Sequence, residues 1–311
     1  MNKIFVLGSI NMDFVFSIDR IPKLGETIKS KDFLMTPGGK GANQAVACSK
    51  QGVKTFMLGS VGSDSLSILC KNSLQYYGVD CTFLDETEDL SVGVAGIFVE
   101  EQDNRIVTYS GANSIHDIDL INEILEKNAE KNDYLLSQLE IPMEIVEQTF
   151  KKAKSLSITT ILNLAPAQLI TNQLLSLTDI LVVNETEIET LTKIIPNDET
   201  KIKQASNILL KQGAKSILLT LGDKGSIYID NNELIKMNAF AVEAVDTTAA
   251  GDTYIGAFVS QLINKKSIKQ AMEFASAAAA LTIQQLGAQS SIPSKDMVEH
   301  FMKKNKEKDS L

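Results

Sequence analysis

The sequence has few of the residues that build metal centres and nucleophilic triads. Only two histidines, His116 and His300, occur among 311 residues, so a Ser-His-Asp triad or a multi-histidine zinc site would be hard to assemble. The three cysteines, Cys48, Cys70 and Cys81, are too widely spaced for a Cys-x-x-Cys metal site and are odd in number, which favours reduced thiols in a cytoplasmic protein. If the protein is an enzyme, we expect a carboxylate to carry its proton chemistry.

Positive charge and long apolar runs are also scarce. The 30 Lys and Arg against 39 Asp and Glu give a net charge of −9, and no basic patch appears, so we expect no nucleic-acid partner. No apolar stretch reaches membrane-spanning length, and the short apolar run near the first residue has no small-residue cleavage site. We therefore expect neither a membrane segment nor export. The chain is 44% hydrophobic, which is ample for a large core, and we predict one domain over residues 1–311.

Short apolar strands and amphipathic helices alternate along most of the chain. Strands are predicted at 3–8, 55–61, 134–138, 160–163, 180–183 and 216–221, and helices at 64–77, 118–128, 143–155, 185–193 and 201–212. This rhythm predicts an α/β fold with a doubly wound, mainly parallel sheet and helices on both faces. Polar residues follow several of the strands, at the edge where such sheets bind ligands.

Four β-like segments, at 14–18, 26–35, 92–100 and 105–109, stand outside this rhythm, and the last two flank a polar turn at 101–104. They predict a small projecting sheet built from about 13–36 and 92–112. Such a sheet could serve as a lid over a ligand or as a partner surface for a second copy of the chain.

The stretch 245–258 begins like the end of a strand, crosses a run of small residues and opens an amphipathic helix at Asp252. Small side chains allow close approach of a ligand, and the unpaired N–H groups of a first helical turn favour an anion. A carboxylate in that turn suits a base that takes a proton from an attacking hydroxyl while the amides neutralise a transferred phosphoryl group. The alternative is that Asp252 merely caps the helix, and this stretch alone leaves both open.

A second informative stretch, 36–47, places three glycines around Lys40 and leads into a helix. It matches neither the Walker pattern nor Gly-x-Gly-x-x-Gly. The amide of Asn43, on the first helical turn, can donate and accept, which suits a polyol. Asn11 and Asp13 follow the first strand and either point into the same crevice or form an Asx turn.

Six blocks of the sequence together resemble a known family. In order they are Gly8-Ser-Ile-Asn-Met-Asp13, Gly38-Gly-Lys-Gly-Ala-Asn-Gln44, Gln138-Leu-Glu140, Asn184-Glu-Thr-Glu187, Thr220-Leu-Gly222 and Asp246-Thr-Thr-Ala-Ala-Gly-Asp252. Over nearly its whole length the chain resembles the ribokinase branch of the phosphofructokinase-B-type carbohydrate kinases. The resemblance implies ATP-dependent phosphorylation of D-ribose at O5, giving ribose 5-phosphate and ADP.

The resemblance also implies a role for individual residues. Asp252 is expected to be the base, beside an anion hole formed by Ala249, Ala250 and Gly251. The sugar ligands are expected to be Asn11, Asp13, Gly39, Lys40, Asn43 and Glu140. The nucleotide site is expected to comprise Asn184, Thr220, Gly222, Gly225 and Gly251, with Ser276 near the adenine.

Two metal ions and a homodimer are implied in the same way. Glu187 is expected to place Mg²⁺ through water. A K⁺ site is expected from Asp246, Thr248, Thr282, Gln285, Gly287 and Ser291. The lid, through Val94 and Ile97, is expected to cover the sugar and to meet the same element of another subunit.

Other functions remain open from the sequence. Within the family the substrate could be deoxyribose, another pentose, a nucleoside or a fructose phosphate, although Lys40 is the one evident cation for a sugar phosphate. A non-catalytic sugar sensor is a further alternative, and a Rossmann dehydrogenase is disfavoured because no Gly-x-Gly-x-x-Gly follows the first strand. Two departures from the family pattern are Leu164, in place of proline, and Ser276, in place of a larger residue that would stack on adenine.

Overall fold

The computed structural model describes residues 2–100 and 103–309. Its strands are β1 (Ile4–Leu7), β2 (Asn11–Ile18), β3 (Asp32–Gly38), β4 (Thr55–Leu58), β5 (Ser60–Gly62), β6 (Asp85–Thr87), β7 (Gly93–Glu100), β8 (Asp103–Tyr109), β9 (Tyr134–Ser137), β10 (Thr159–Asn163), β11 (Ile180–Asn184), β12 (Ser216–Thr220), β13 (Ser226–Asp230) and β14 (Leu234–Met237). Its helices are α1 (Lys40–Lys50), α2 (Ser65–Tyr76), α3 (Ile118–Asn128), α4 (Met143–Ser155), α5 (Asn172–Ser176), α6 (Glu185–Thr192), α7 (Glu199–Lys211), α8 (Ala250–Ile263), α9 (Ile268–Thr282) and α10 (Lys295–Asp309). None of the helices in these described ranges is long and apolar enough to cross a membrane.

The main sheet has eight strands in the order β14-β13-β12-β11-β10-β9-β1-β4. The six strands from β12 to β4 are parallel, and β13 and β14 add an antiparallel edge. Two apolar cores flank the sheet, because alternate strand residues point to opposite faces. Ile4 and Val6 pack into the core under α1, α8 and α9, whereas Phe5 and Leu7 pack into the core under α3, α4 and α7. The predicted doubly wound α/β fold is confirmed, and the β13–β14 hairpin is an addition that the pattern did not indicate.

Capping side chains mark most of the helix starts. The side chains of Asp64, Asp117 and Asp198 accept hydrogen bonds from first-turn N–H groups, and Asn184 and Ser267 form capping boxes with the residues three positions on. These caps explain why the observed helices begin within about two residues of the predicted positions.

A second sheet of four strands, in the order β3-β2-β7-β8, projects from the main body, and we call it the lid sheet. Its strands β2 and β7 are parallel, and the other two pairings are antiparallel. The strand predicted at 26–35 begins only at Asp32, and residues 101 and 102 of the predicted turn lie outside the described residues. Large apolar side chains on this sheet remain exposed, namely Phe33, Leu34, Met35, Ile106, Val107 and Tyr109.

Candidate active site

The first turn of α8 lies open to solvent at the C-terminal edge of the sheet. Ala249 adopts a left-handed conformation with φ of 59°, and no side chain caps the helix that follows. A Cβ added to Gly251 would meet no atom within 4 Å, so a ligand can approach this backbone closely. The N–H groups of Gly251 and Asp252 belong to the first turn and have no intrahelical partner. The stretch before them is a loop rather than the predicted strand end, and Val245 N donates to Ile283 O at 2.7 Å.

The carboxylate of Asp252 turns away from its own helix toward α1. Its Oδ2 accepts a hydrogen bond from Asn43 Nδ2 at 3.1 Å, and its Oδ1 accepts one from Gln44 Nε2 at 2.8 Å. Burial raises the pKa of Asp252, while the charge of Lys40 and the bonds from the two amides act in the opposite direction. The side chain is therefore a part-buried carboxyl held by donors on another element, an arrangement that differs from a helix cap.

The start of α1 brings four of the predicted sugar ligands together. Gly39 has φ of 91°, and a Cβ there would lie 2.8 Å from Asn11 N, so only glycine allows this approach to β2. Lys40 N donates to Glu140 Oε2 at 3.1 Å, and Ser9 Oγ donates to the same oxygen at 2.6 Å. Ser9 therefore anchors Glu140, a role that the sequence analysis missed.

Lys40 is the cation at the centre of a group of carboxylates. Burial lowers its pKa, but the negative charges of Asp252, Glu140, Glu187 and Asp13 outweigh burial, and the net effect is a raised pKa. Its ammonium is thus fully charged at neutral pH. Its field reaches both the predicted base and the predicted metal-binding carboxylate.

Asp13 is a part-buried carboxyl at the start of the lid sheet. Burial, followed by the charges of Glu140 and Asp252, raises its pKa to about 7, and Lys40 opposes the shift. A Cβ at Gly38 would come within 2.1 Å of Asp13 Oδ2, so the neighbouring strand needs a glycine there. Asp13 therefore faces the same space as Lys40.

Asn113, which the sequence analysis did not single out, fixes the amide of Asn11. Asn113 Nδ2 donates to Asn11 Oδ1 at 2.8 Å and to Ile10 O at 3.1 Å, and Asn113 Oδ1 accepts from Ile10 N at 2.9 Å. Because the oxygen of Asn11 is bound in this way, its nitrogen is the group left for a ligand. The signal was present in the sequence, since Gly-Ala-Asn occurs at 41–43 and again at 111–113.

The amide of Asn43 donates to Asp252 through its nitrogen, which leaves its oxygen for another partner. Asn43 Oδ1 is buried and has no hydrogen-bond partner within residues 2–100 and 103–309. A buried amide oxygen without a partner is costly, and a hydroxyl donor from a ligand would satisfy it.

The predicted nucleotide residues lie at the ends of β11 and β12 and in the turn that follows. Asn184 and Glu187 form a capping box at the start of α6, with Asn184 N donating to Glu187 Oε2 at 2.8 Å. Burial raises the pKa of Glu187 to about 7, against the bond from Asn184 and the charge of Lys40. A Cβ at Gly222 would meet nothing within 4 Å, so its backbone is open to a ligand, and Thr220 Oγ1 donates to Val183 O at 3.4 Å.

Gly225 and Ser276 are placed mainly by packing. A Cβ at Gly225 would lie 2.0 Å from Met237 O, so this glycine lets the β13–β14 hairpin close. Ser276 is buried on α9, and its hydroxyl donates to Asn238 O at 3.2 Å. Its hydroxyl therefore holds the loop after β14.

The predicted K⁺ residues are only partly brought together by side-chain contacts. Asp246 Oδ1 accepts from Thr248 N, and its Oδ2 accepts from Gly287 N, each at 2.9 Å, which joins the loops before α8 and after α9. The hydroxyl of Thr282 instead bonds Thr253 Oγ1 and Ala278 O, the hydroxyl of Ser291 donates to Ala288 O, and Gln285 N donates to Thr282 O. Gly287 lies five residues beyond the end of α9 and does not cap this helix.

The carboxylates of the described residues do not form a preassembled metal-binding site. Among the residues that the structure describes, no group of three or more His, Cys, Asp or Glu side chains is arranged to hold a metal ion. The donor set suits Mg²⁺ held by one carboxylate together with water and substrate phosphates, which is a common arrangement for this ion.

Comparison with known proteins places this site in context. The model of the pfkB family of carbohydrate kinases matches residues 1–295. The ribokinase of Haemophilus influenzae is 40% identical over 298 residues, covering 96% of this chain and 97% of that protein. The deoxyribokinase of Salmonella typhimurium is 34% identical over 307 residues, covering 97% and 99%. The structure of Arabidopsis thaliana ribokinase complexed with ribose and ATP is 33% identical, covers 97% of this chain and 99% of that chain, and superposes with a TM-score of 0.89.

Proposed function

Because this chain belongs to the pfkB family of carbohydrate kinases, we propose that it transfers the γ-phosphoryl group of ATP to O5 of D-ribose. The O5 hydroxyl gives its proton to Asp252 as its oxygen bonds to the γ-phosphorus. The bond from that phosphorus to the β–γ bridging oxygen breaks, and ADP leaves. The family resemblance found in the six sequence blocks is confirmed by the comparisons.

One observation carries the proposal: the part-buried carboxylate of Asp252 stands in the first turn of α8, beside amides that have no intrahelical partner and near a charged lysine. Phosphoryl transfer needs alignment and charge neutralisation more than covalent chemistry. The amides of α8 neutralise charge on the transferred group, Lys40 supplies a positive field, and Asp252 aligns the hydroxyl and takes its proton.

The sugar site is inferred from complementary donors and acceptors. The nitrogen of Asn11 donates to a sugar oxygen, whereas Asn43 Oδ1 accepts from a hydroxyl. Asp13 accepts from adjacent ring hydroxyls, and Lys40, Glu140 and the backbone of Gly39 complete the pocket. Mixed donors and acceptors of this kind suit a polyol.

On the nucleotide side, we assign ATP to the space bounded by the ends of β11 and β12, the turn at Gly222 and the start of α8. Glu187 would hold Mg²⁺ through water, and the ion would supply charge neutralisation on the phosphates. Asp246, which already joins the loops before α8 and after α9, would hold a monovalent cation together with Thr248, Thr282, Gln285, Gly287 and Ser291. K⁺ would supply positive charge beside the anion hole.

A coupled assay for ADP release tests the proposal directly. With ATP and Mg²⁺, we expect turnover on D-ribose to exceed turnover on 2-deoxyribose and on adenosine, and to rise when K⁺ is added. A protein that binds ribose without releasing ADP would instead be a sugar sensor. Lack of turnover on every sugar in the panel would exclude the kinase assignment.

A second candidate, deoxyribose phosphorylation, follows from the 34% identity to a deoxyribokinase. The pocket favours ribose, because a sugar without the 2-hydroxyl leaves Asp13 short of one donor. A lost hydrogen bond to a charged group costs about 1.5–3 kcal/mol, or roughly 10- to 150-fold in kcat/KM. A kcat/KM for deoxyribose equal to or above that for ribose would reverse the assignment.

The lid sheet is inferred both to cover the sugar and to form a homodimer contact, and Val94 and Ile97, three residues apart on β7, point to its two opposite faces. Phe16 lies between Phe33 and Phe98, with ring centroids 5.0 and 5.7 Å from its own, and other apolar side chains of the sheet stay exposed. An apolar sheet face of this kind is usually covered by a partner, and a second copy supplies the same face.

We further infer that the enzyme works in the cytoplasm. All three cysteines lie within the described residues, are buried and carry free thiols. Unpaired thiols are usual in a reducing compartment.

A further inference from the structure

Gln44, the residue after Asn43 on α1, contacts the candidate base directly. Its Nε2 donates to Asp252 Oδ1 at 2.8 Å and to Asn163 Oδ1 at 3.0 Å, while its Oε1 accepts from Gln138 Nε2 at 2.6 Å. Gln44 and Gln138 are fully buried, and Asn163 is nearly so. The three amides thus form one buried chain that ends on the carboxylate.

The partners of Gln44 permit only one orientation of its amide. If the amide turned over, its oxygen would face the carboxylate of Asp252 and the carbonyl of Asn163, both of which are acceptors. Its nitrogen would then face the donor group of Gln138. Gln138 and Asn163 therefore force both hydrogens of Gln44 Nε2 toward acceptors, one of which is the candidate base.

The orientation in which the amide of Gln138 donates to Gln44 leaves the oxygen of Gln138 unsatisfied. Its Oε1 is buried and has no hydrogen-bond partner in the part of the chain that the structure describes. A Cβ at Gly8 would lie 2.1 Å from that oxygen, so Gly8 leaves the room it needs. A buried, unpaired amide oxygen is normally selected against, and here it accompanies the donor that fixes Gln44.

We propose that Gln44 is a positioning residue for Asp252, with Gln138 and Asn163 acting through it, and that it aims the carboxylate at the sugar hydroxyl and keeps it ionised. The inference rests on the assignment of Asp252 as the base. Gln44 acts on the reaction only through that carboxylate.

Charged groups from four other elements also surround Asp252. Lys40 at the start of α1, Asp13 on β2, Glu140 after β9 and Glu187 on α6 all interact with it electrostatically. Gln44 is neutral, so replacing it removes a hydrogen bond and leaves these charges in place. A change in the titration of Asp252 then reports the loss of the bond.

The first test replaces Gln44 with methionine, which keeps the length of the side chain and removes its donor. We expect kcat to fall by roughly 10- to 100-fold, the scale of a lost bond to a charged group, while the dissociation constant for the sugar changes by less than about threefold. The acid limb of the kcat/KM profile moves to higher pH by roughly one pH unit, because the ionised carboxylate has lost a donor. Gln261→Met, a buried glutamine at the far end of α8, is the matched control.

A second readout needs no substrate. The carboxyl carbon of Asp252 is titrated by ¹³C NMR in aspartate-labelled protein, and its signal is identified by its disappearance in Asp252→Asn. We expect Gln44→Met to raise the pKa of Asp252 and Gln261→Met to leave it unchanged. If the wild-type protein phosphorylates no sugar, the proposed function fails, while this titration still decides whether Gln44 governs Asp252.

Gln138→Met distinguishes a loss of positioning from a general disruption of the fold. It also takes the place of Gln44→Met in the test if that variant does not fold. It frees the amide of Gln44 to turn over, so we expect smaller changes in the same direction, and the double variant should be no worse than Gln44→Met alone. Unchanged titration of Asp252 in both single variants, with or without a loss of kcat, would overturn the proposal.

Discussion

Asp252 shows at the scale of one residue how burial and hydrogen bonding oppose each other. Burial favours its neutral form, whereas Lys40, Gln44 and Asn43 favour the carboxylate. A base in such a setting depends on its donors. Asp252→Asn keeps the shape and removes the basic oxygen, so we expect kcat to fall on the order of 10²–10⁴-fold and sugar affinity to change less.

Single-turnover kinetics and calorimetric titration with the sugar measure these two quantities separately. Asp230→Asn, a substitution in the β13–β14 turn, is the control, because that carboxylate bonds the backbone of Asn232 and Glu233 away from the site. Near-normal turnover of Asp252→Asn would remove Asp252 from the mechanism.

Asp13 links the site to the pH dependence of stability. Its pKa is about 7 in the folded protein against an ordinary value of 3.8, so the folded state holds this proton more tightly than the unfolded state does. The contribution of Asp13 to the free energy of unfolding is therefore fully present below pH 4, and it declines as the pH rises toward 7. Asp13→Asn should leave Tm unchanged at pH 4 and raise it by roughly 3 °C or more at pH 8, while sugar binding weakens.

Thermal unfolding of the ligand-free protein across this pH range makes the measurement. Asp80→Asn, at a part-buried carboxylate that bonds Thr82 outside the site, serves as the control. A Tm gain that is the same at pH 4 and pH 8 would mean that the charge of Asp13 is not its cause.

At the scale of elements, the start of α1 is set by how closely its backbone approaches β1. A Cβ at Gly41 would lie 2.5 Å from Gly8 C and 2.6 Å from Ser9 N. Gly41→Ala must therefore push α1 outward, and we expect a loss of about 1–3 kcal/mol in unfolding free energy together with lower kcat, because Asn43 moves with the helix.

Urea denaturation and steady-state kinetics test this, with Gly96→Ala as the control for stability. A Cβ at Gly96 would find its nearest neighbour only at 3.9 Å, so alanine fits there without displacement. Equal stability of the two variants would show that α1 can shift at little cost.

The same elements show what can be predicted from sequence. Helices α3 and α4 were predicted with the observed bounds, because an apolar stripe and local start signals specify them. The β13–β14 hairpin was missed because it adds two antiparallel strands to the edge of the sheet, after the alternation of strands and helices has ended. The strand predicted from residue 26 was too long, because an apolar pattern does not say where pairing with β2 stops.

Within the candidate site, the motifs indicated Asp252, Lys40 and Asn43, which lie together in the structure. Gln44 was in a quoted motif and Asn113 was not, yet neither was assigned a role. Their importance depends on contacts across 208 and 102 positions of the chain, and local patterns contain no such pairing.

At the scale of the whole molecule, the proposed dimer rests on the exposed apolar side chains of the lid sheet. Val107 is 68% exposed on β8, and a charge there would have to be desolvated in a contact between copies. We expect Val107→Glu to shift the protein from dimer to monomer in sedimentation velocity experiments. Met297→Glu, an exposed apolar position on α10, is the control. A wild-type protein that is monomeric at micromolar concentration would contradict the dimer.

Strand β2 is continuous over eight residues. Asn11 and Asp13 lie near its start, and the aromatic side chains Phe14 and Phe16 follow them along the strand. Its first residues therefore lie beside the candidate sugar pocket, and its later residues lie in the projecting sheet. If the proposed dimer forms through that sheet, separation of the two copies would change the surroundings of β2 and, through it, the positions of Asn11 and Asp13. We then expect dilution of the dimer to weaken sugar binding.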